Sequence, residues 1–295
     1  MGFLSLLPSA AVLSAGILWG IINLFVKTLS AAGFSALQIS TVRMFVSAAA
    51  SFAALLLFDR KALRVRIADL WMFVGTGIVS VELFNVCYFR TVIEGQASIA
   101  VVLLYTSPVF VLLLSALLFR ERVTLRGVLA LVLTFAGCVL TAGIGSEKAA
   151  ALPPRVLATG LASGFFYAMY TIFGRIALRR YESKTVTAYT FLFAALGSAV
   201  IGQPAETLAA FHGDVRLCLF GIGIGIVCTV LPYFLYTWGL DRMASGKAAI
   251  LAASEPLVGA VIGMTVFGED SGAAKLCGIA LILASILLLG TEKQQ

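Results

Sequence analysis

From Ala97 to Glu121 the chain reads ASIAVVLLYTSPVFVLLLSALLFRE, apolar from end to end with a proline at its middle. A second stretch displaced by 148 residues, SGKAAILAASEPLVGAVIGMTVFGE from Ser245 to Glu269, repeats the design. Pro108 meets Pro256, Ala100 meets Ala248, Leu103 meets Leu251, Phe119 meets Phe267 and Glu121 meets Glu269. The same displacement lays Trp19 on Tyr167, Lys27 on Arg175 and Tyr88 on Tyr236. A repeat half as long as the chain constrains the architecture before any single residue does, because two copies of one unit must bury the same faces. The copies divide the sequence into 1–148 and 149–295.

What each copy contains follows from hydropathy. Of 295 residues 61% are hydrophobic and 12% charged, where a soluble domain carries about 25% charge. Ten apolar runs can be drawn, over 9–27, 35–58, 68–90, 97–119, 125–143, 155–178, 185–203, 215–239, 245–267 and 272–290. Each is of the order needed to cross a hydrocarbon core of ~30 Å. The runs are continuous rather than alternating, which argues against a β-barrel. The opening MGFLSLLPSAA lacks a basic leader, so the first run is expected to remain as a span. Cys87, Cys138, Cys218, Cys228 and Cys277 lie inside runs without a C-x-x-C pair and read as small core residues. No metal or cofactor site is read. The net charge of +7 gathers in loops and reads as membrane topology, not nucleic-acid binding.

Fourteen Lys and Arg fall on one side of the ten spans: Arg60, Lys61, Arg64, Arg66, Arg120, Arg122, Arg126, Arg175, Arg179, Arg180, Lys184, Arg242, Lys247 and Lys293. Six fall on the other: Lys27, Arg90, Lys148, Arg155, Arg216 and Lys275. The excess places the first side, with both termini, in the cytoplasm of a bacterial inner membrane. Five spans per copy is an odd number, so the second copy enters the membrane upside down. Inverted repeats related by an axis in the membrane plane are a transporter architecture.

Pro108 and Pro256 lie about eleven residues into their runs, near mid-membrane at ~1.5 Å per residue. A proline there removes one donor and frees a carbonyl, which must find a partner or line a wet cavity. Paired interruptions in two repeats point to a binding site. Residues of the same depth are candidate cavity lining: Trp19, Asn23, Asn85, Tyr88, Tyr105, Ser107, Tyr167, Tyr170, Tyr233, Tyr236 and Glu255. Arg43, Glu82 and Glu255 are charged inside spans, where charge is costly and faces a partner or water. Arg43 and Glu82 are read as a structural ion pair, and Glu255, with Glu82 second, as a proton-exchanging carboxylate. Trp238 reads as an interfacial anchor. Gly160/Gly164, Gly221/Gly225 and Gly259/Gly263 allow close helix approach. Thr124 and Ser271 are N-cap candidates, with Glu121 and Glu269 favouring the helices that follow them.

The only histidine, His212, falls in a connector, and no catalytic constellation occurs in a span, so a membrane-embedded enzyme is the weaker reading. The stronger is a carrier of small molecules in the lipid bilayer. Aromatic lining suits a substrate with an apolar or aromatic part. An uptake carrier or passive facilitator fits the same residues, a monomer would suffice, and the oligomeric state is left open.

LWG at 18–20, Arg43, LLYTSPVFVLLLSALLFRERVTLRG at 103–127 and ASEPLVGAVIGMTVFGED at 253–270 together resemble the EamA-like family of the drug/metabolite transporter superfamily. The resemblance covers nearly the whole chain. It implies an all-α integral membrane protein of ten transmembrane helices, an inverted five-plus-five bundle around a central cavity. It also implies a secondary carrier by alternating access, as in the family's many exporters of amino acids and related metabolites. The second copy departs by three extra residues between Glu269 and Gly278, compared with Glu121 and Gly127.

Overall fold

The structure is a computed structural model that describes residues 6–95, 97–143, 153–269 and 272–290, and every regular element among them is helical. The first copy holds α1 (Leu7–Gly20), α2 (Ile22–Ala31), α3 (Ala36–Phe58), α4 (Leu70–Val74), a wide π-turn over Gly75–Glu82, α5 (Leu83–Glu94), α6 (Ala97–Leu104), α7 (Ser107–Phe119) and α8 (Leu125–Thr141). The second holds α9 (Pro154–Ala177), α10 (Ser183–Ile201), α11 (Pro204–Ala209), α12 (Val215–Gly225), a π-turn over Ile226–Val230, α13 (Leu231–Leu240), α14 (Ser245–Leu251), α15 (Ser254–Val266) and α16 (Ala273–Gly290).

Consecutive pieces stack into eight helices long and apolar enough to cross a membrane, the first running on to Ala31. The other two expected spans are the shorter helices α8 and α16. α8 has 17 residues, about 25 Å at ~1.5 Å per residue, so it falls a little short of a ~30 Å core. The protein is an all-helical, multi-pass membrane bundle.

The burial pattern is that of a lipid-facing protein. Leu57, Phe58, Ile93 and Val200 are more than three-quarters exposed, whereas Ser47, Thr76, Thr134, Ser163, Thr190 and Thr229 are wholly buried. Lipid tails leave apolar side chains no reason to move inward, so hydroxyls take the interior, where they find partners. Thr76 with Thr190 (2.7 Å) and Thr134 with Ser285 (2.6 Å) join helices of different copies in this way. Capping sets several helix starts: Ser35 and Gln38 form a reciprocal capping box, Asp214 caps α12, and Thr124 caps α8 as expected. Ser271, Lys148 and Lys293 lie outside the described residues.

The runs bearing Pro108 and Pro256 are both broken. α6 gives way to α7 at Tyr105–Thr106, and α14 to α15 at Ala252–Ala253. Pro108 and Pro256 fall in the first turn of the second piece, where a missing N–H leaves no bond unmade. The first helix of each copy crosses the break of the other at a glycine. A Cβ on Gly16 would stand 2.0 Å from Ser254 Oγ, and one on Gly164 would stand 2.5 Å from Thr106 Oγ1. Gly16 and Gly164 are 148 residues apart, and so are Thr106 and Ser254.

Two sequence expectations are corrected here. α8 begins at Leu125 and α16 at Ala273, again 148 residues apart, so no insertion precedes the last helix. Gly278 matches nothing at Gly127; it touches Gly137 and Thr141 across the α8–α16 contact. Glu121 does not serve its own following helix. Its carboxylate accepts from Ser245 N and Oγ, both at 2.8 Å, and so caps α14 of the other copy.

Candidate functional site

The middle of the bundle holds an aromatic box. Trp19 from α1 meets Tyr233 edge-on at 5.2 Å and Tyr236 at 5.6 Å between ring centroids. Tyr170 from α9 meets Tyr233 at 4.8 Å, and Phe191 from α10 closes the far side of Tyr233 at 5.1 Å. Edge-to-face packing sets ring edges against π-faces and fixes the ring planes. The tyrosine hydroxyls are anchored: Tyr170 Oη to Thr237 Oγ1 and Tyr236 Oη to Thr171 Oγ1, each at 2.7 Å. Thr237 also donates to Tyr233 O.

A small cavity of about 30 Å³ opens beside this box, room for about two waters. Trp19, Ser107, Tyr167, Tyr170, Tyr233 and Tyr236 line it, together with Val111, Ala168, Thr171, Ala249 and Ala252. The prolines themselves are not among its walls. Ser107, which opens α7, and Ala252, in the second break, are presented instead.

Around the cavity stand two charges. The Tyr105 and Tyr167 hydroxyls lie against the Glu255 carboxyl, which also acts electrostatically on Tyr88 and Tyr233. Arg43, on α3, is near enough to act on Glu255, Tyr167 and Tyr233. Its Nε donates to Thr229 Oγ1 (3.3 Å) in the second π-turn. There Thr229 itself bonds back to Ile224 O at 2.8 Å, five residues earlier. Tyr167 and Tyr233 thus feel both charges. No ion pair within 4.0 Å joins Arg43 or Glu255 to an oppositely charged group among the described residues.

The expected Arg43–Glu82 ion pair is not formed within 4.0 Å, although Arg43 is near enough to act on Glu82 as well. Glu82 Oε1 accepts from Ser198 Oγ at 2.8 Å and its chain lies against Gly197, so α10 takes the carboxylate. Arg43 donates instead to the Thr229 side-chain hydroxyl in the π-turn. Of the other expected cavity residues, Tyr88, Tyr105 and Glu255 stand near the cavity but are not among its walls, and Asn23 and Asn85 are not brought in. Asn23 is exposed, past the helix break at Ile21, with its amide near Gly259. Asn85 is buried and donates to Ser40 Oγ at 2.9 Å, a tie between spans. Trp238, read as an interfacial anchor, carries the Arg242 guanidinium over its ring at 4.1 Å.

Sequence reading missed Thr171, Thr237 and Thr229. Thr171 and Thr237 lie four residues from Tyr167 and Tyr233, a helical spacing that shares a face. Thr229 carried no such signal.

The EamA-like transporter family matches this chain twice, over residues 7–143 and 155–291. The chain belongs to the EamA-like transporter family. An uncharacterized transporter of Archaeoglobus fulgidus is 29% identical, with 96% of each chain covered. The uncharacterized inner membrane transporter YicL of Salmonella typhimurium is 25% identical over 77% of this chain and 74% of its own. A crystal structure of a protein 19% identical in sequence superposes with a TM-score of 0.77 over 96% of both chains, so the fold recurs. Membership carries a transporter role in a lipid bilayer, and with it a small-molecule substrate. Its family relatives are named as transporters, not as enzymes.

Proposed function

We propose that this EamA-like protein is a secondary carrier that exports small zwitterionic metabolites with an apolar or aromatic part, amino acids above all, across a bacterial inner membrane. The observation that carries the substrate class is the pair of interior charges, Glu255 and Arg43, which no ion pair joins to each other and which share Tyr167 and Tyr233 as neighbours. Charges inside a span are costly and mark a functional place, and these two are met only by hydroxyls, Thr229 at Arg43 and Tyr105 and Tyr167 at Glu255. An ammonium against Glu255 and a carboxylate against Arg43 would give each its partner, while Trp19, Tyr170 and Tyr236 would take the apolar part.

The transport cycle in this reading is alternating access between two inverted repeats, 1–148 and 149–295, that contribute ten transmembrane helices around the central site. Support comes from contacts that swap under the 148-residue displacement. Gly16–Ser254 becomes Gly164–Thr106, and Thr134–Ser285 becomes Gly137–Ile282. Such an exchange is what a pseudo-two-fold axis requires. Each ion pair between described residues also joins groups that the loop charges assign to one face, for example Arg180 with Asp69 and Arg155 with Glu94. The face bearing Arg60, Lys61 and Arg180 is the cytoplasmic one in this reading.

Glu255 would couple export to protons, with Glu82 the next carboxylate. The test is uptake and counterflow of amino acids in liposomes at several external pH values. Glu255→Gln should abolish the pH dependence of net transport while substrate exchange survives, because exchange needs binding but no net proton movement. Unchanged pH dependence would remove Glu255 from the coupling role. Absence of saturable counterflow in the parent protein would sink the carrier reading.

A further inference from the structure

Four charged residues outside the central site are related by the repeat in a way that neither copy explains alone. Lys27 Nζ lies 3.8 Å from Glu269 Oε1, and Arg175 Nη2 lies 3.8 Å from Glu121 Oε1. Lys27 and Arg175 are 148 residues apart, and so are Glu121 and Glu269. Each pair therefore ties the first spanning helix of one copy to the end of the broken helix of the other. The carboxylates are presented alike. α7 ends with Arg120 in the left-handed region (φ 57) and the Glu121 N–H bonded to Ser115 O. α15 is followed by Gly268 at φ 66 and the Glu269 N–H bonded to Gly263 O. The same helix-ending turn thus aims a carboxylate at a cation of the other copy twice.

The surroundings connect the first pair to the site. One helical turn from the central cavity toward the Glu121 end, Ser115 follows Val111, Gly246 precedes Ala249 and Arg175 follows Thr171. These residues belong to a larger opening of about 420 Å³ that reaches the bundle end and also contains Glu121. Glu121 and Arg175 line this opening, on the bundle-end side of the cavity. The other Arg175 arm donates to the carbonyls of Leu240 and Met243, the latter at 3.1 Å, so the tie extends to the end of α13. At the opposite end Lys27 Nζ lies 3.3 Å from the centre of the Phe267 ring, and Glu269 also takes Lys275 at 2.8 Å.

We propose that Glu121–Arg175 and Glu269–Lys27 are the gate latches of the transport cycle, one at each end of the bundle, and that opening to either end breaks its own latch while the other holds. The inference rests on the carrier reading above. Both latches are closed in this structure, and the central cavity is correspondingly too small for a metabolite. The Glu121 latch is the firmer, with side chains 16% and 28% exposed against 49% and 53% for Glu269 and Lys27.

The test places Ala249→Cys, in the cavity wall, in a background with the native cysteines replaced. Labelling by an impermeant maleimide is then followed without substrate in intact cells and in inverted vesicles. Glu121→Gln should raise labelling from the Glu121 face on the order of tenfold, and Glu269→Gln from the opposite face about threefold, since exposed pairs are worth less than partly buried, hydrogen-bonded ones. Arg175→Gln leaves the Ser245 bonds to Glu121 in place and should act in the same direction, which keeps the test open if Glu121→Gln fails to fold. Unchanged labelling, or an equal rise from both faces, would overturn the latches. Face-specific labelling without saturable counterflow would keep the latches and remove the carrier. Counterflow with unchanged labelling in these variants would do the reverse.

Discussion

Alanine at Gly164 tests the crossing of the two copies at the broken helices. A Cβ there would stand 2.5 Å from Thr106 Oγ1, 2.9 Å from Leu103 O and 3.2 Å from Leu104 O. The hydroxyl could turn away, but the carbonyls belong to the backbone of the break and can only move with it. Forcing extra volume into a packed contact costs about 1–3 kcal/mol. Against this, alanine gains about 0.5–1 kcal/mol over glycine inside a helix. The net expectation is a loss of up to roughly 2 kcal/mol. Gly174, on the same helix, is the control: its Cβ would meet only Leu240 Cδ2, at an ordinary 3.6 Å. Gly174→Ala should therefore keep the helix gain and be more stable than the parent. Thermal unfolding in detergent reads both, with the melting temperature falling for Gly164→Ala and rising for Gly174→Ala. Gly16→Ala should follow Gly164→Ala, because Ala252 O would lie 2.8 Å from the new carbon. Equal shifts of the same sign at Gly164 and Gly174 would refute the close crossing.

Ser198→Ala and Glu82→Gln should be strongly coupled through their 2.8 Å bond, whereas Arg43→Ala and Glu82→Gln should be coupled more weakly, because Arg43 acts on Glu82 only through space, with no ion pair within 4.0 Å; a double-mutant cycle by thermal unfolding checks both, and an Arg43–Glu82 coupling as large as that of Ser198 with Glu82 would restore the ion pair. The Glu269 carboxyl is held below its ordinary value of 4.5, first by the Lys275 hydrogen bond and then by the Lys275 and Lys27 charges. A depressed carboxylate contributes stability that is fully present above pH 4.5 and lost as pH falls through its lowered pKa. The melting-temperature gap between the parent and Glu269→Gln should thus hold from pH 7 to about 5 and shrink on further acidification, and a gap that stays constant down to pH 3 would contradict it.

Where the helices lie was legible in the sequence for a physical reason. A chain this apolar must satisfy its backbone within each segment in lipid, so run length alone located the helices to within a few residues, and Pro108 and Pro256 marked two of the breaks, though not the one at Ile21. The 148-residue displacement was equally legible, and it recurs in the helix ends, the glycine crossings and the ion pairs. What each interior charge would face was not legible. Arg43 was matched to Glu82 by depth, yet depth leaves direction around the helix free, and the two π-turns alter that direction by an amount no periodicity foretells. Glu121 was assigned to its own next helix, but its partners Arg175 and Ser245 come from the other copy. Asn23 shares a helical face with Trp19 only until the helix breaks at Ile21. Local chemistry determined the elements and their symmetry. Only the tertiary structure, in which each copy's first helix crosses the other's break, decided which polar groups meet.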